Sequence, residues 1–180
     1  MDLEELRIDC AVKQKKGLHF ILASVIIWIA ILIIQLLNIP IIVKNLYTFC
    51  CTAPLLPLAY LIAKIIKVDF QNKGNPLTNL GIIFSVNQIL YLLIAMWIYP
   101  TIPEKMLMVI AIIFGAHLLP YGWLYKSKTY MVLSVFISVA VLIVGLNFEP
   151  YVIAVIMIII ELGFSICLTF ENRKLIALNK

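Results

Sequence analysis

Long runs of apolar residues alternate with short polar segments along most of the chain. Six of these runs are roughly 20 residues long, which is the length a helix needs to cross a hydrocarbon layer of about 30 Å. They lie at residues 18–37, 46–66, 79–99, 106–125, 130–146 and 151–170. Because no water reaches the backbone inside a membrane, each run must form its hydrogen bonds within its own segment. The pattern therefore predicts an all-α protein with six transmembrane helices.

The composition is that of an integral membrane protein. Hydrophobic residues make up 64% of the 180 residues and charged residues 13%, against about 45–50% and 25% in soluble domains. Six spans and their connections use the whole chain, so a single membrane domain is expected over residues 1–180. Residues 1–17, before the first span, are predicted to form a short interfacial helix capped by Asp2, with acidic residues in its first turn and lysines at its end.

The basic residues predict the orientation of the spans. Of the 14 Lys and Arg residues, 12 fall in the N-terminus, the second and fourth loops, and the C-terminus, whose basic residues are Arg173, Lys174 and Lys180. The opposite side carries Lys44 and Lys105. The positive-inside rule then places both termini in the cytoplasm. Because these cations are scattered rather than clustered, they predict membrane lipids as partners and argue against nucleic-acid binding.

The chain also matches itself at an offset of 63 residues. Ile39-Pro40 aligns with Ile102-Pro103, and Ala53-x-Leu55-Leu56-Pro57 aligns with Ala116-x-Leu118-Leu119-Pro120. Each matched stretch is an outer turn followed by the inner half of the returning helix, so the repeating unit is a helical hairpin. We interpret the chain as three tandem hairpins, the third being the weakest match; chance matching in a leucine-rich chain is the alternative.

Prolines inside two predicted spans indicate kinks. Pro54 and Pro57 lie in the second span, and Pro120 lies in the fourth. A proline inside a helix removes one backbone hydrogen bond and its ring clashes with the preceding turn. Irregular backbone at membrane depth is tolerated where it is buried in protein or lines a cavity. The second and fourth spans are therefore predicted to bend near Pro57 and Pro120, at positions suited to a site.

Four polar residues share a similar depth near the middle of the membrane. At 1.5 Å per residue, Glu161 and His117 lie about 15 and 17 Å from the outer ends of their spans, and Asn87 and Gln88 about 12 to 14 Å from the inner end of theirs. Glu161 is the one acidic residue inside a predicted span, where a charge costs at least about 2.5 kcal/mol. We hypothesise a mid-membrane substrate or ion site, with Glu161 and His117 as proton-binding groups. The alternative is that these side chains only bond helices to one another.

Known catalytic and metal-site patterns are missing from the sequence. It contains no HExxH, no Walker loop and no Ser-His-Asp set, and its two His residues and four Cys residues lack the spacing of a metal site. The prediction is therefore no metal and no cofactor. Enzymatic activity is unsupported, the single option being acid–base chemistry by Glu161 and His117 on a lipid-like substrate.

Three segments carry a resemblance to a known family: Gly115–Tyr125, the N-terminal Leu3-Glu4-Glu5-Leu6-Arg7 and the loop Lys67-Val68-Asp69. Together they resemble an uncharacterised family of small multi-pass proteins of Gram-positive bacteria. The resemblance covers most of the chain and implies a bacterial plasma membrane, but no substrate. Two hypotheses follow: a small transporter, channel or ligand-binding protein built on the mid-membrane site, or an accessory or assembly subunit that binds another membrane protein. A homo-oligomer is compatible with both.

Overall fold

The computed structural model describes residues 2–178, and all regular elements in that range are helical. The helices are α1 Leu3–Lys13, α2 Leu18–Leu36, α3 Ile41–Thr52, α4 Leu55–Ile65, α5 Leu77–Thr101, α6 Met106–His117, α7 Leu119–Leu124, α8 Lys128–Asn147 and α9 Pro150–Leu178. Short 3₁₀ turns at Lys15–Gly17 and Pro103–Lys105 precede α2 and α6. The prediction of an all-α fold is confirmed. Lys180, counted above among the C-terminal basic residues, lies outside the described residues.

Five helical stretches are long and apolar enough to cross a membrane. They are Lys15–Leu36, Leu77–Thr101, Pro103–Leu124, Lys128–Asn147 and Pro150–Ala177. The pair α3 and α4, bent by 42°, provides a sixth span if the two helices are taken together. The chain is therefore a membrane protein with five or six spans. The orientation of the termini and the tandem hairpins stay predictions.

Both proline-containing spans contain a helix break. The first break separates Thr52 from Leu55 and is centred on Pro54, whereas Pro57 lies in the first turn of α4, where no backbone N–H is needed for the helix. The break in the second span thus includes Pro54 and lies in the turn that precedes Pro57. The second break is at Leu118, and Pro120 follows it in the first turn of α7.

Two groups of helices meet in one core. Helix α2 packs against α9, α4 and α3, and α6 packs against α8, α5 and α9. Trp28 of α2 is buried and makes an edge contact with the ring of Phe114 on α6, with 6.2 Å between ring centroids. Fully buried Ile31, Ile137 and Met157 belong to the same core cluster. Helix α5 lies at the edge of this arrangement, with 11% of its most apolar window buried.

Glycines allow α6 and α8 to approach closely. A Cβ atom on Gly115 would lie 2.7 Å from Cγ2 of Ile137, and one on Gly145 would lie 2.5 Å from Cγ of Met108. Neither distance is compatible with van der Waals contact, so both positions require the absence of a side chain. Close helix approach at small residues is the usual way in which membrane helices gain packing energy.

The N-terminal helix α1 packs across one end of the bundle. Asp2 accepts a hydrogen bond from the Glu5 amide at 2.8 Å, and the Glu5 carboxylate accepts one from the Asp2 amide at 2.9 Å, which confirms the predicted cap. Arg7 donates to the carbonyl of Trp123 from Nε at 3.0 Å and from Nη2 at 2.5 Å. These bonds attach α1 to the end of α7. Its location in a membrane interface stays a prediction.

Asp9 joins α1 to the loop that follows α4. It accepts hydrogen bonds from the side-chain amides of Asn72 and Asn75, at 3.1 and 2.8 Å, and forms an ion pair with Lys13 at 2.7 Å. Burial raises the pKa of Asp9, but the hydrogen bonds from Lys13, Asn75 and Asn72 outweigh it and hold the pKa below its ordinary value. The ionised carboxylate therefore stabilises this attachment.

The turn between α1 and α2 has a left-handed backbone at three successive residues. Lys15, Lys16 and Gly17 have φ angles of 46°, 50° and 70°, a conformation that lysine rarely adopts. Hydrogen bonds hold it: Asn172 donates to the Lys15 carbonyl and the Tyr130 hydroxyl donates to the Lys16 carbonyl, each at 2.9 Å. Contacts with α8 and α9 thus fix the path of the chain into α2.

Candidate functional site

A cavity of about 480 Å³ lies beside the break between α3 and α4. Its volume falls within the range of roughly 300–1,000 Å³ that is typical of small-molecule sites. Most of its lining is apolar and comes from α2, α3, α4, α5 and α6, as with Phe20, Phe49, Leu55, Leu92 and Phe114. The helices on its two sides have different partners, since α4 packs on α2 and α5 packs on α6. The cavity occupies the space between them.

The cavity opens sideways, between α4 and α5. Two of its lining residues, Leu56 on α4 and Ile89 on α5, are 61% and 63% exposed. Their exposed neighbours Tyr60 and Leu93 are also largely apolar. The rim of the opening is therefore apolar.

Most hydroxyl groups in the lining are already engaged. The Tyr121 hydroxyl donates to the Gly81 carbonyl at 2.8 Å and lies 2.6 Å from Oγ of Ser85. The Tyr125 hydroxyl donates to Oε1 of Gln14 at 2.8 Å, and that of Tyr130 donates to the Lys16 carbonyl as described above. These hydroxyls hold the wall of the cavity in place, where it meets the N-terminal segment.

His117 lines the cavity and is the last residue of α6, just before the helix break at Leu118. At the break, the Leu118 amide donates a hydrogen bond to the Gly115 carbonyl. Nδ1 of His117 lies 2.5 Å from the carbonyl oxygen of Phe114. Because a carbonyl oxygen can only accept, Nδ1 carries the proton in this contact. The imidazole also contacts the Ile113 backbone. With Nδ1 as the donor, Nε2 of the neutral ring is an acceptor.

Gln88 is the second polar side chain with free hydrogen-bonding capacity. It lines the cavity, and its amide has no hydrogen-bond partner among the residues that the structure describes. The same described lining contains no Asp, Glu, Lys or Arg. The cavity therefore offers hydrogen bonds without charge.

Of the predicted site residues, His117 and Gln88 line this cavity, and Glu161 and Asn87 are not among its lining residues. Asn87 is exposed on α5 and donates to the Tyr91 hydroxyl at 2.9 Å. Within residues 2–178 no hydrogen bond or ion pair joins Glu161 to His117. The structure thus brings together one pair of the predicted residues and separates the others from it.

Glu161 lies between α9 and α2, with 0% of its surface exposed. Its Oε2 lies 2.5 Å from Oγ of Ser24, which also lies 2.8 Å from the Ile21 carbonyl oxygen. The Ser24 hydroxyl has one proton and can donate to only one of these two oxygens. Both contacts are hydrogen bonds if Ser24 donates to the Ile21 carbonyl and the protonated Glu161 carboxyl donates to Oγ of Ser24. Oε1 has no partner in the described part of the chain. A neutral carboxyl that links two helices accounts for this geometry.

The comparison with protein families settles what the chain is related to. A family model matches residues 3–171, which is nearly the whole chain. The chain belongs to the family of unknown function DUF7010. This confirms the resemblance to an uncharacterised family; the Gram-positive source and the bacterial plasma membrane stay expectations. No curated protein and no solved structure matches the chain.

Tyr125 and Tyr130 are among the lining residues of this DUF7010 protein that are absent from the predicted site. Both are almost fully buried, and their rings lie 5.9 Å apart. The spacing of His117, Tyr121 and Tyr125, four residues apart, is the one sequence signal for the first of them, because such residues share a helix face. Tyr130 lies in the first turn of the next helix, α8, and no spacing rule connects it with the others.

Proposed function

We propose that this DUF7010 protein binds a small lipophilic molecule in the cavity between α4 and α5. The observation that carries the proposal is a laterally open, apolar cavity with two free polar groups inside it, on His117 and Gln88. Well-packed protein interiors contain few voids larger than a water molecule. An apolar pocket with a few polar groups is the usual form of a small-molecule site.

Binding of a lipophilic molecule fits the cavity better than movement of an ion. An ion or charged solute in the membrane interior requires charged or carbonyl ligands along its path. The described lining has no charged side chain, and the buried carboxyl of Glu161 is engaged with Ser24 instead. Proton coupling between Glu161 and His117 therefore has no support from their contacts, and the transporter and channel hypotheses are the weaker ones.

Photolabelling of the purified protein in lipid nanodiscs tests the proposal. The probe is a long-chain alkyl diazirine, and the labelled peptides are mapped by mass spectrometry. We expect saturable labelling of peptides from α3, α4, α5 and α6 that contain cavity residues. Labelling spread evenly over the exposed apolar faces, with no saturation, would show that the cavity does not select the probe.

A repeat-matched pair of variants provides the control. Ala53 and Ala116 occupy equivalent positions at the 63-residue offset, and both are exposed, but Ala53 lines the cavity and Ala116 does not. Ala53→Phe is expected to reduce saturable labelling, because the ring fills the space beside the opening, and Ala116→Phe to leave it unchanged. If neither variant alters labelling and a stoichiometric membrane-protein partner purifies with the chain, the accessory-subunit hypothesis is favoured instead.

A further inference from the structure

The polar groups in the cavity restrict the chemistry of the ligand. We infer that the ligand is an uncharged amphipathic alcohol, whose hydroxyl group donates a hydrogen bond to Nε2 of His117 and whose apolar tail points toward the opening between α4 and α5. This inference rests on the proposed binding function and adds the class of ligand to it.

The tautomer of His117 sets the direction of the hydrogen bond that a ligand can form with it. Because Nδ1 contacts the Phe114 carbonyl at 2.5 Å, Nε2 is the acceptor of the neutral ring, and the ring belongs to a residue that lines the cavity. A ligand that satisfies it must carry an O–H or N–H donor. Ethers, esters and ketones have acceptors alone and would leave Nε2 without a partner, which is unfavourable in an apolar site.

The oxygen of the same ligand group can form a further hydrogen bond, with Gln88. A hydroxyl oxygen also accepts hydrogen bonds, and the Gln88 amide has both donor and acceptor atoms available. The lining hydroxyls, on Thr52, Ser85, Tyr121, Tyr125 and Tyr130, donate within the protein, so their oxygens can only accept further hydrogen bonds. A ligand hydroxyl therefore matches the two side-chain groups that lack a partner among the described residues, the imidazole acceptor and the Gln88 amide.

The uncharged lining disfavours ligands with a charged headgroup. A carboxylate, phosphate or ammonium group would enter a pocket whose described lining has no side chain of opposite charge. Taking such a group out of water without a partner is costly. A hydroxyl has no such penalty once it is hydrogen-bonded. The apolar opening at Leu56 and Ile89 suits a hydrocarbon tail that remains in contact with the lipid.

Competition against the diazirine probe tests this ligand class. Dodecan-1-ol, its methyl ether and dodecanoate share one chain and differ in the headgroup, and each is compared at equal mole fraction in the nanodisc. We expect the alcohol to compete about three- to tenfold better than the ether, which corresponds to one net hydrogen bond. Dodecanoate is expected to compete less well than the alcohol.

His117→Leu and Gln88→Met provide the second readout. In His117→Leu the preference for the alcohol over the ether should disappear, and this ratio does not depend on overall affinity. If His117→Leu fails to fold, the ratio of competition by the alcohol to competition by the ether still tests the ligand class in the unmodified chain and in Gln88→Met, because both keep His117. Equal competition by alcohol and ether, or strongest competition by dodecanoate, would overturn the ligand class and leave the binding function intact. If none of the three competes although the probe labels the cavity saturably, the ligand class is overturned as well. If the probe itself shows no saturable labelling, the binding function is overturned.

Discussion

Replacing Ser24 by alanine tests the assignment of Glu161 as a neutral link between helices. The hydroxyl of Ser24 is the side-chain partner of Glu161, and Oε1 of the carboxyl is already unpartnered within the described residues. Ser24→Ala thus leaves a fully buried carboxyl without a hydrogen bond. Glu161→Gln, in contrast, keeps the shape of the side chain and supplies an N–H donor to Oγ of Ser24.

The magnitude follows from the burial of this contact. Side-chain hydrogen bonds between membrane helices contribute about 0.6 kcal/mol on average and up to about 1.7 kcal/mol, and an unsatisfied buried polar group costs about 1–3 kcal/mol. We therefore expect Ser24→Ala to lower the free energy of unfolding by about 1–2 kcal/mol. Glu161→Gln should change it by less than about 0.5 kcal/mol, because the hydrogen bond is kept.

The assay is a titration with sodium dodecyl sulfate in mixed micelles, followed by circular dichroism, for both single variants and the double variant. Ser138→Ala is the matched control, since the Ser138 hydroxyl donates within its own helix, to the Ser134 carbonyl at 2.9 Å. If Glu161→Gln prevented folding while Ser24→Ala had no effect, the neutral-carboxyl interpretation would be wrong. Saturable labelling of the cavity should also survive in Glu161→Gln, because Glu161 is not a lining residue.

Three further outcomes are expected. Gly145→Ala should lower the free energy of unfolding by about 1–3 kcal/mol, because the added methyl group overpacks against Met108. The same titration measures it, with Gly163→Ala as the control because the space beside Gly163 is open; equal stability of the two variants would contradict the prediction. Asp9→Asn should expose α1 to protease at neutral pH. In the unmodified chain the Asp9 contribution is present above about pH 3.9 and should be lost as pH falls through the lower pKa of the folded state. Equal protease protection of Asp9→Asn and the unmodified chain at neutral pH would refute this. Pro54→Ala should permit a straighter second span and alter the saturable labelling of the cavity. Unchanged labelling would show that the cavity does not depend on the bend.

Several features of this protein are determined locally and could be predicted from the sequence. The apolar runs specify helices because a backbone in hydrocarbon must satisfy its own hydrogen bonds within each segment. The cap at Asp2 involves Glu5, which is three residues away. Proline acts on the turn that precedes it, and the break in the second span lies at Pro54, in the turn before Pro57.

The site depended on information that the sequence does not carry. Counting residues gives the depth of Glu161 and His117 in the membrane, but not which way each helix faces or which helices are neighbours. Asn87 and Gln88 are adjacent and therefore point about 100° apart on one helix; packing of α5 on α6 decides that Gln88 faces the cavity and Asn87 the exposed surface.

Contacts between residues far apart in the chain also form the region of the cavity wall nearest the N-terminus. The Tyr130 hydroxyl reaches the Lys16 carbonyl across 114 positions of the chain, and Nζ of Lys16 pairs with the Glu171 carboxylate at 2.7 Å across 155 positions. Neither contact has a spacing rule, because helix periodicity relates residues within one segment. The sequence alone determined which segments are helices in a membrane; the tertiary structure decided which of their polar side chains meet, because those contacts depend on helix rotation and neighbour choice.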